Sequence, residues 1–225
     1  MACLKKSSYT TESGLKYFII GSFASAILIF GISIIVLITG HYNFENIKNF
    51  LIYTYQLKNL FVIYIYLGSL LILISLLFKL AIAPFHTWVA DIYEGIMTPT
   101  ALFFATVPKI SIFIILTRII YDVFYNIFYI FQPFLIICCC LSLILGAHSA
   151  LKQQNIKRFL AFSSLHNFGF MLIGISLNSQ LGINSAFFYL FTYILLTLSL
   201  WTCVLILYYN KYKKIQNQLR ILKKL

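Results

Sequence analysis

Phe78-Lys79-Leu80-Ala81-Ile82-Ala83-Pro84-Phe85-His86-Thr87-Trp88 closes an apolar run that starts at Leu60 and reaches Ala90. As one helix that run would be about 46 Å long at about 1.5 Å per residue, more than the ~30 Å hydrocarbon core of a bilayer requires. Pro84 has no backbone donor, and its ring crowds the carbonyl of Leu80. The run is therefore expected to break near residues 81–84, with Lys79 just before the break. Irregular backbone at membrane depth is tolerated only where it is buried in protein or lines a wet cavity.

Composition supports a membrane chain. Of 225 residues, 61% are hydrophobic and 10% charged, against roughly 25% charged in an ordinary soluble domain. This excludes a cytosolic enzyme, a nucleic-acid reader and a disordered segment. Apolar stretches long enough to cross occur at 15–39, 60–90, 98–120, 133–150, 159–177 and 183–209. His41 to Lys58 reads as a more polar connection, and Val123 to Phe131 as an aromatic, interfacial stretch. Nothing alternates with period two, so a barrel is not expected. The expected fold is an all-α polytopic membrane protein of six transmembrane helices, the second of them broken, forming a single transmembrane domain over 1–225.

The net charge of +12 is placed as loop charge, not as a nucleic-acid stripe: no Lys, Arg, Asp or Glu lies between Phe159 and Asn210. Six crossings put both termini on one side, together with Lys5, Lys6, Lys152, Lys157, Arg158 and the basic tail 210–225. The other side keeps Lys48, Lys58 and Arg118. This bias places the termini in the cytoplasm or the mitochondrial matrix. Abundant Phe, Tyr, Ile and Lys with scarce Arg, Gly and Pro suggest an AT-rich, organelle-encoded gene, although a biased bacterial genome would look the same.

Charged side chains at membrane depth cost about 3 kcal/mol on insertion scales, so Lys79 and Lys109 are the strongest functional candidates. The alternative is a side chain that snorkels to an interface. Burial disfavours the charged form of an amine, and a lysine held near neutrality can take up and release protons. His86 follows Pro84, and His166 follows Ser163-Ser164; either could relay a proton or serve as a hydrogen-bonded structural group. Glu12 and Lys16 share a helix face; they form a surface pair by default and are retained as pathway candidates. Asp91 and Glu94 are read as structural, near a helix start with Thr98 as N-cap and Pro99 at N1. Cys138-Cys139-Cys140 point about 100° apart on a helix and read as packing residues, not ligands. No phosphate loop, metal-ligand set or nucleophile elbow is visible.

The stretch Phe78 to Trp88, followed by Asp91-Ile92-Tyr93-Glu94-Gly95 and Thr98-Pro99-Thr100, resembles the signature of the antiporter-like membrane subunits of respiratory complex I, most closely the chain 2 type. Ala105-Thr106-Val107-Pro108-Lys109, Gln154 to Ser164 and Glu12 to Phe18 resemble further segments of that family. The resemblance implies part of an inverted-repeat bundle of about fourteen helices, covering its sixth to eleventh. It implies that Lys79 and Lys109 handle protons, with His86 and the polar cluster around His166 on a hydrated relay. Asn167 stands where the family usually has histidine, and His166 is displaced by about 100°.

The implied function is proton translocation in the membrane arm of complex I, as a subunit of NADH:ubiquinone reductase. The alternatives are a multi-subunit cation/proton antiporter or a structural subunit that does not pump. No cofactor is expected on this chain; FMN, iron–sulfur clusters and ubiquinone are expected elsewhere in the complex. The expected partners are other complex I membrane subunits, membrane lipids and a separately encoded chain carrying the missing helices, among them one that supplies a glutamate to Lys79. No nucleic acid is expected. The expected location is the mitochondrial inner membrane with matrix-side termini, or alternatively a bacterial plasma membrane.

Overall fold

A computed structural model of the chain describes residues 8–55 and 61–222. Lys5, Lys6 and Lys58 lie outside them. The described residues form helices without strands: α1 (Ser8–Thr39), α2 (Phe44–Tyr55), α3 (Phe61–Leu80), α4 (Thr87–Gly95), α5 (Thr98–Arg118), α6 (Phe128–Leu151), α7 (Ile156–Ser176) and α8 (Gln180–Leu222). Among the described residues six helical stretches are long and apolar enough to cross a membrane. The chain is a multi-pass membrane protein with a broken second crossing.

The break is built from a helix cap. Ala81 adopts a left-handed φ of 60°. Its N–H donates to the Phe78 carbonyl at 3.0 Å, and that of Ile82 to the Leu77 carbonyl at 3.1 Å. This pair of bonds is the Schellman pattern that ends a helix, with alanine where glycine is usual. Ile82 and Leu77 are both fully buried in the core, which anchors the cap. The chain then crosses Ala83 and Pro84 through a cis bond and restarts at α4.

Elsewhere the boundaries differ from the apolar pattern. The connection after α1 contains α2, which buries Ile47 and Leu51 one turn apart. Helix α6 starts at Phe128, five residues before Pro133. The aromatic stretch before it passes through one π-helical and one 3₁₀ turn and divides between two faces: Phe124, Phe128 and Phe131 are buried in the main core, whereas Tyr125 and Tyr129 are exposed. Met97, not Thr98, caps α5, so Pro99 is its second residue. Helix α8 runs to Leu222, through most of the basic tail.

Contacts between helix ends show an alternating up-and-down course. At one end Lys16 and Arg158 meet Asp91. At the other, the Tyr121 hydroxyl donates to the Ile175 carbonyl at 2.7 Å, and Gln132 Nε2 donates to the Ser176 carbonyl at 3.0 Å. Small residues let the helices approach, as is usual in membranes. Between α6 and α7 the Cys139 thiol donates to the Gly169 carbonyl; Cys138 and Cys139 are buried packing residues, whereas Cys140 is exposed. Where α1 crosses α3, a Cβ added to Gly31 would lie 2.8 Å from the Gly68 carbonyl oxygen. Backbone cannot yield as a side chain can, and overpacking costs about 1–3 kcal/mol. Gly31→Val is therefore expected to lower the thermal midpoint of the assembled protein. Gly21→Ala, with nothing within 4 Å of the new carbon, is expected to leave it near wild type.

Candidate functional site

The discontinuity in the second crossing places Lys79 and Lys109 on the wall of one open-sided cavity of about 560 Å³, lined by α1, the end of α3, α4 and α5. Lys79 is half-buried in the last turn of α3. Phe78 beside it stacks on Trp88 at 6.4 Å between ring centroids and also meets Phe85 at 5.6 Å. These aromatic contacts span the break and fix α4 against α3. Among the described residues Lys79 makes no ion pair.

Lys109 is 3% exposed. Pro108 before it has no N–H, which deprives the Phe104 carbonyl of its helical donor; both residues border the cavity. The Lys109 amine donates to Ser164 Oγ at 2.8 Å. Ser164 Oγ in turn donates to the Ala161 carbonyl at 2.7 Å, so it offers the amine a lone pair. The rings of Phe168 and Tyr93 flank Nζ at 5.2 and 5.7 Å. Aromatic faces attract a cation, but no described carboxylate pairs with Lys109.

The histidines lie elsewhere. His86 is half-buried at the cap of α4, its Nδ1 without a hydrogen-bond partner among the described residues. His166 turns toward α6: its Nδ1 is 3.1 Å from the Leu143 carbonyl, and Phe170 packs edge-on at 4.9 Å. Asn167 faces α8 and accepts from the Tyr189 hydroxyl at 3.0 Å. The one-residue offset thus sends the two side chains to different helices.

Glu12 and Lys16 belong to a charged cluster at the end of α1. Lys16 Nζ lies 2.7 Å from Glu12 Oε1 and 3.4 Å from Asp91 Oδ2. Arg158 bridges Asp91 Oδ1 at 3.0 Å and also pairs with Glu94. Asn155 donates to Glu94 at 2.6 Å. Asp91 sits at the middle of α4 and Glu94 in its last turn, not at a helix start. Carboxylates are disfavoured near the negative end of a helix dipole, so the cations on α1 and α7 offset their placement. All these side chains are more than a third exposed, and screening keeps each pair weak. Their effect is to tie α4, which carries Trp88 and Tyr93, to two neighbouring helices.

Sequence reasoning singled out both cavity lysines as candidates; Trp88, Tyr93 and Arg158 entered it only as members of the quoted family segments and, for Arg158, as a loop charge. The lysines are charges in apolar runs. The aromatic residues are ordinary members of a chain with 16 tyrosines and 22 phenylalanines.

A family model described as NADH:quinone oxidoreductase/Mrp antiporter, transmembrane, matches residues 1–225. NADH-ubiquinone oxidoreductase chain 2 of Marchantia polymorpha is 40% identical over 215 residues, which cover 95% of this chain and 44% of that protein. NADH-quinone oxidoreductase subunit N 1 of Rhizobium meliloti (strain 1021) is 35% identical over 201 residues, 89% of this chain and 41% of that protein. Among solved structures, a chain of the Mrp complex from Dietzia sp. DQ12-45-1b aligns with a TM-score of 0.79 at 19% identity, covering 88% of this chain and 35% of that one; this likeness concerns the fold alone. A chain of respiratory complex I from Thermus thermophilus aligns with a TM-score of 0.64 at 30% identity, covering 86% and 40%. The chain spans less than half the length of these relatives. It belongs to the NADH:quinone oxidoreductase/Mrp antiporter transmembrane family.

Proposed function

We propose that this chain is a proton-translocating part of the membrane arm of respiratory complex I, of the chain 2 type. One observation carries the reading: Lys79, at a broken helix, and Lys109, buried at mid-crossing, face one cavity. The Lys109 amine is buried between two ring faces, with no described carboxylate beside it. Such a group can accept a proton and release it. A proton passes between the two lysines through water in the cavity, and Ser164 holds the Lys109 amine in place throughout. Proton movement of this kind breaks no substrate bond, and the reading assigns FMN, iron–sulfur clusters and ubiquinone to other subunits.

The same reading expects further helices around the cavity, with an acidic residue opposite Lys79. It places the chain in the mitochondrial inner membrane, with the Glu12–Arg158 end and both termini on the matrix side. The identity to complex I subunits in Marchantia and Rhizobium supports this reading over a cation/proton antiporter.

Affinity purification of the chain from its native membrane tests the assignment. Copurification of a complex with bound flavin, iron–sulfur clusters and NADH:quinone reductase activity is the expected result. A complex without redox centres would favour the antiporter reading.

A further inference from the structure

The lysine relay leaves the join between the end of α4 and the start of α7 unused. Asn155 occupies the N-cap position of α7, yet its side chain makes no capping bond to that helix. Its Nδ2 donates instead to Glu94 Oε1 at 2.6 Å. The other Glu94 oxygen accepts from Arg158 Nε, and Arg158 Nη2 donates to Asp91 Oδ1 at 3.0 Å. Glu94 therefore lies against the first turn of α7, where the helix dipole favours an anion. Lys157 makes the reciprocal contact: its amine donates at 2.7 Å to the carbonyl of Ile96, the C-cap residue of α4, where the dipole favours a cation. On the opposite side α4 is pressed on α1, since a Cβ added to Gly95 would lie 2.5 Å from Ser13 Cβ. Each ion pair is exposed and weak, but contacts of opposite polarity at the two helix ends fix one orientation of α4 on α7.

Both joined helices reach a lysine. Ser164 stands six residues beyond Arg158 on α7, about 9 Å along the axis at about 1.5 Å per residue, and accepts from the Lys109 amine at 2.8 Å. Helix α4 starts at the break, and its Trp88 stacks on Phe78, the neighbour of Lys79. We propose that Arg158 is a positioning residue for the lysine pair: by fastening Asp91 and Glu94 of α4 to the start of α7, it sets Ser164, and with it the Lys109 amine, relative to Lys79. The joint lies outside the proton path and acts through the helices that carry its members. This inference rests on the proton-translocation reading above.

The test compares the complete complex carrying wild-type chain, Arg158→Gln, Arg158→Lys, Ser164→Ala, the double variant Arg158→Gln/Ser164→Ala and Lys109→Met in sealed vesicles. NADH-driven proton uptake is measured per assembled complex, so a loss of assembly alone does not move it. Arg158→Gln should lower uptake roughly fivefold, the upper range for an exposed ion pair. Arg158→Lys keeps a charged donor beside both carboxylates and should recover uptake to within about twofold of wild type. Because Arg158 acts through Ser164, the double variant should pump no worse than the poorer single variant. Wild-type uptake in Arg158→Gln, no recovery in Arg158→Lys, or losses that multiply in the double variant would each overturn the inference, and an inactive Lys109→Met would leave the lysine reading standing. Normal uptake in Lys109→Met would overturn the lysine reading itself. A high-resolution map of the wild-type complex decides the matter if Arg158→Gln fails to assemble. Arg158 bridging Asp91 and Glu94 is the expected result, and Arg158 paired with another subunit instead would overturn the inference.

Discussion

Lys109→Met is expected to reduce proton uptake by about a hundredfold, the lower range of what a positioned acid–base group contributes, while the complex still assembles. Methionine fills much of the volume of the lysine stem, and the surroundings suit it: the site is 3% exposed and flanked by Phe168 and Tyr93. Only Ser164 loses a partner, and its hydroxyl keeps its bond to the Ala161 carbonyl. Lys109→Arg separates charge from protonation. Guanidinium keeps the charge but does not deprotonate in proteins, so it should pump as poorly as methionine. Uptake in sealed vesicles, measured beside the amount of assembled complex, checks both variants. Wild-type uptake in Lys109→Arg would mean that a fixed charge suffices, and no protonation cycle runs through this residue.

Lys79→Met is expected to lower uptake about a hundredfold, the lower range of what a positioned acid–base group contributes, with little loss of assembly. The side chain is half-buried and makes no ion pair among the described residues, so its removal unbalances nothing within this chain. A charge at membrane depth still needs compensation. The account therefore expects a carboxylate from a helix outside residues 1–225 to lie against Lys79 in the complex. Zero-length carbodiimide coupling followed by mass spectrometry should join Lys79 to an Asp or Glu of that helix. A product joining Lys79 only to Glu12, Asp91 or Glu94 would contradict the expectation.

What was legible in the sequence was whatever departs from its apolar background. The excess length of the 60–90 run, with Pro84 near its end, pointed to the break; a proline alone would not have, since Pro108 and Pro133 sit inside α5 and α6. Lys79 and Lys109 stood out as charges among aliphatic neighbours. Helix α2 was hidden because Glu45, Asn46, Lys48 and Asn49 interrupt its apolar residues, so no continuous span forms. The cap at Ala81 was hidden because alanine carries no turn signal; the left-handed φ is held by the burial of Ile82 and Leu77. The Glu12–Lys16 spacing was visible, but its extension to Asp91, Arg158 and Glu94 joins residues up to 146 positions apart (158 − 12). Tyr93 stood in the sequence only as one member of the family segment; its place on the cavity wall beside Lys109 is a property of the packed state.

The central claim is that Lys79 and Lys109 form one proton-transferring unit across the shared cavity. A double-mutant cycle on proton uptake tests it most directly, using Lys79→Met, Lys109→Met and the double variant at matched assembly. Groups that act in one sequence fail together, so their effects are strongly non-additive. The account predicts that the double variant pumps no worse than Lys109→Met alone. Losses that multiply in the double variant would show that the two lysines act independently, and would contradict the shared-cavity relay.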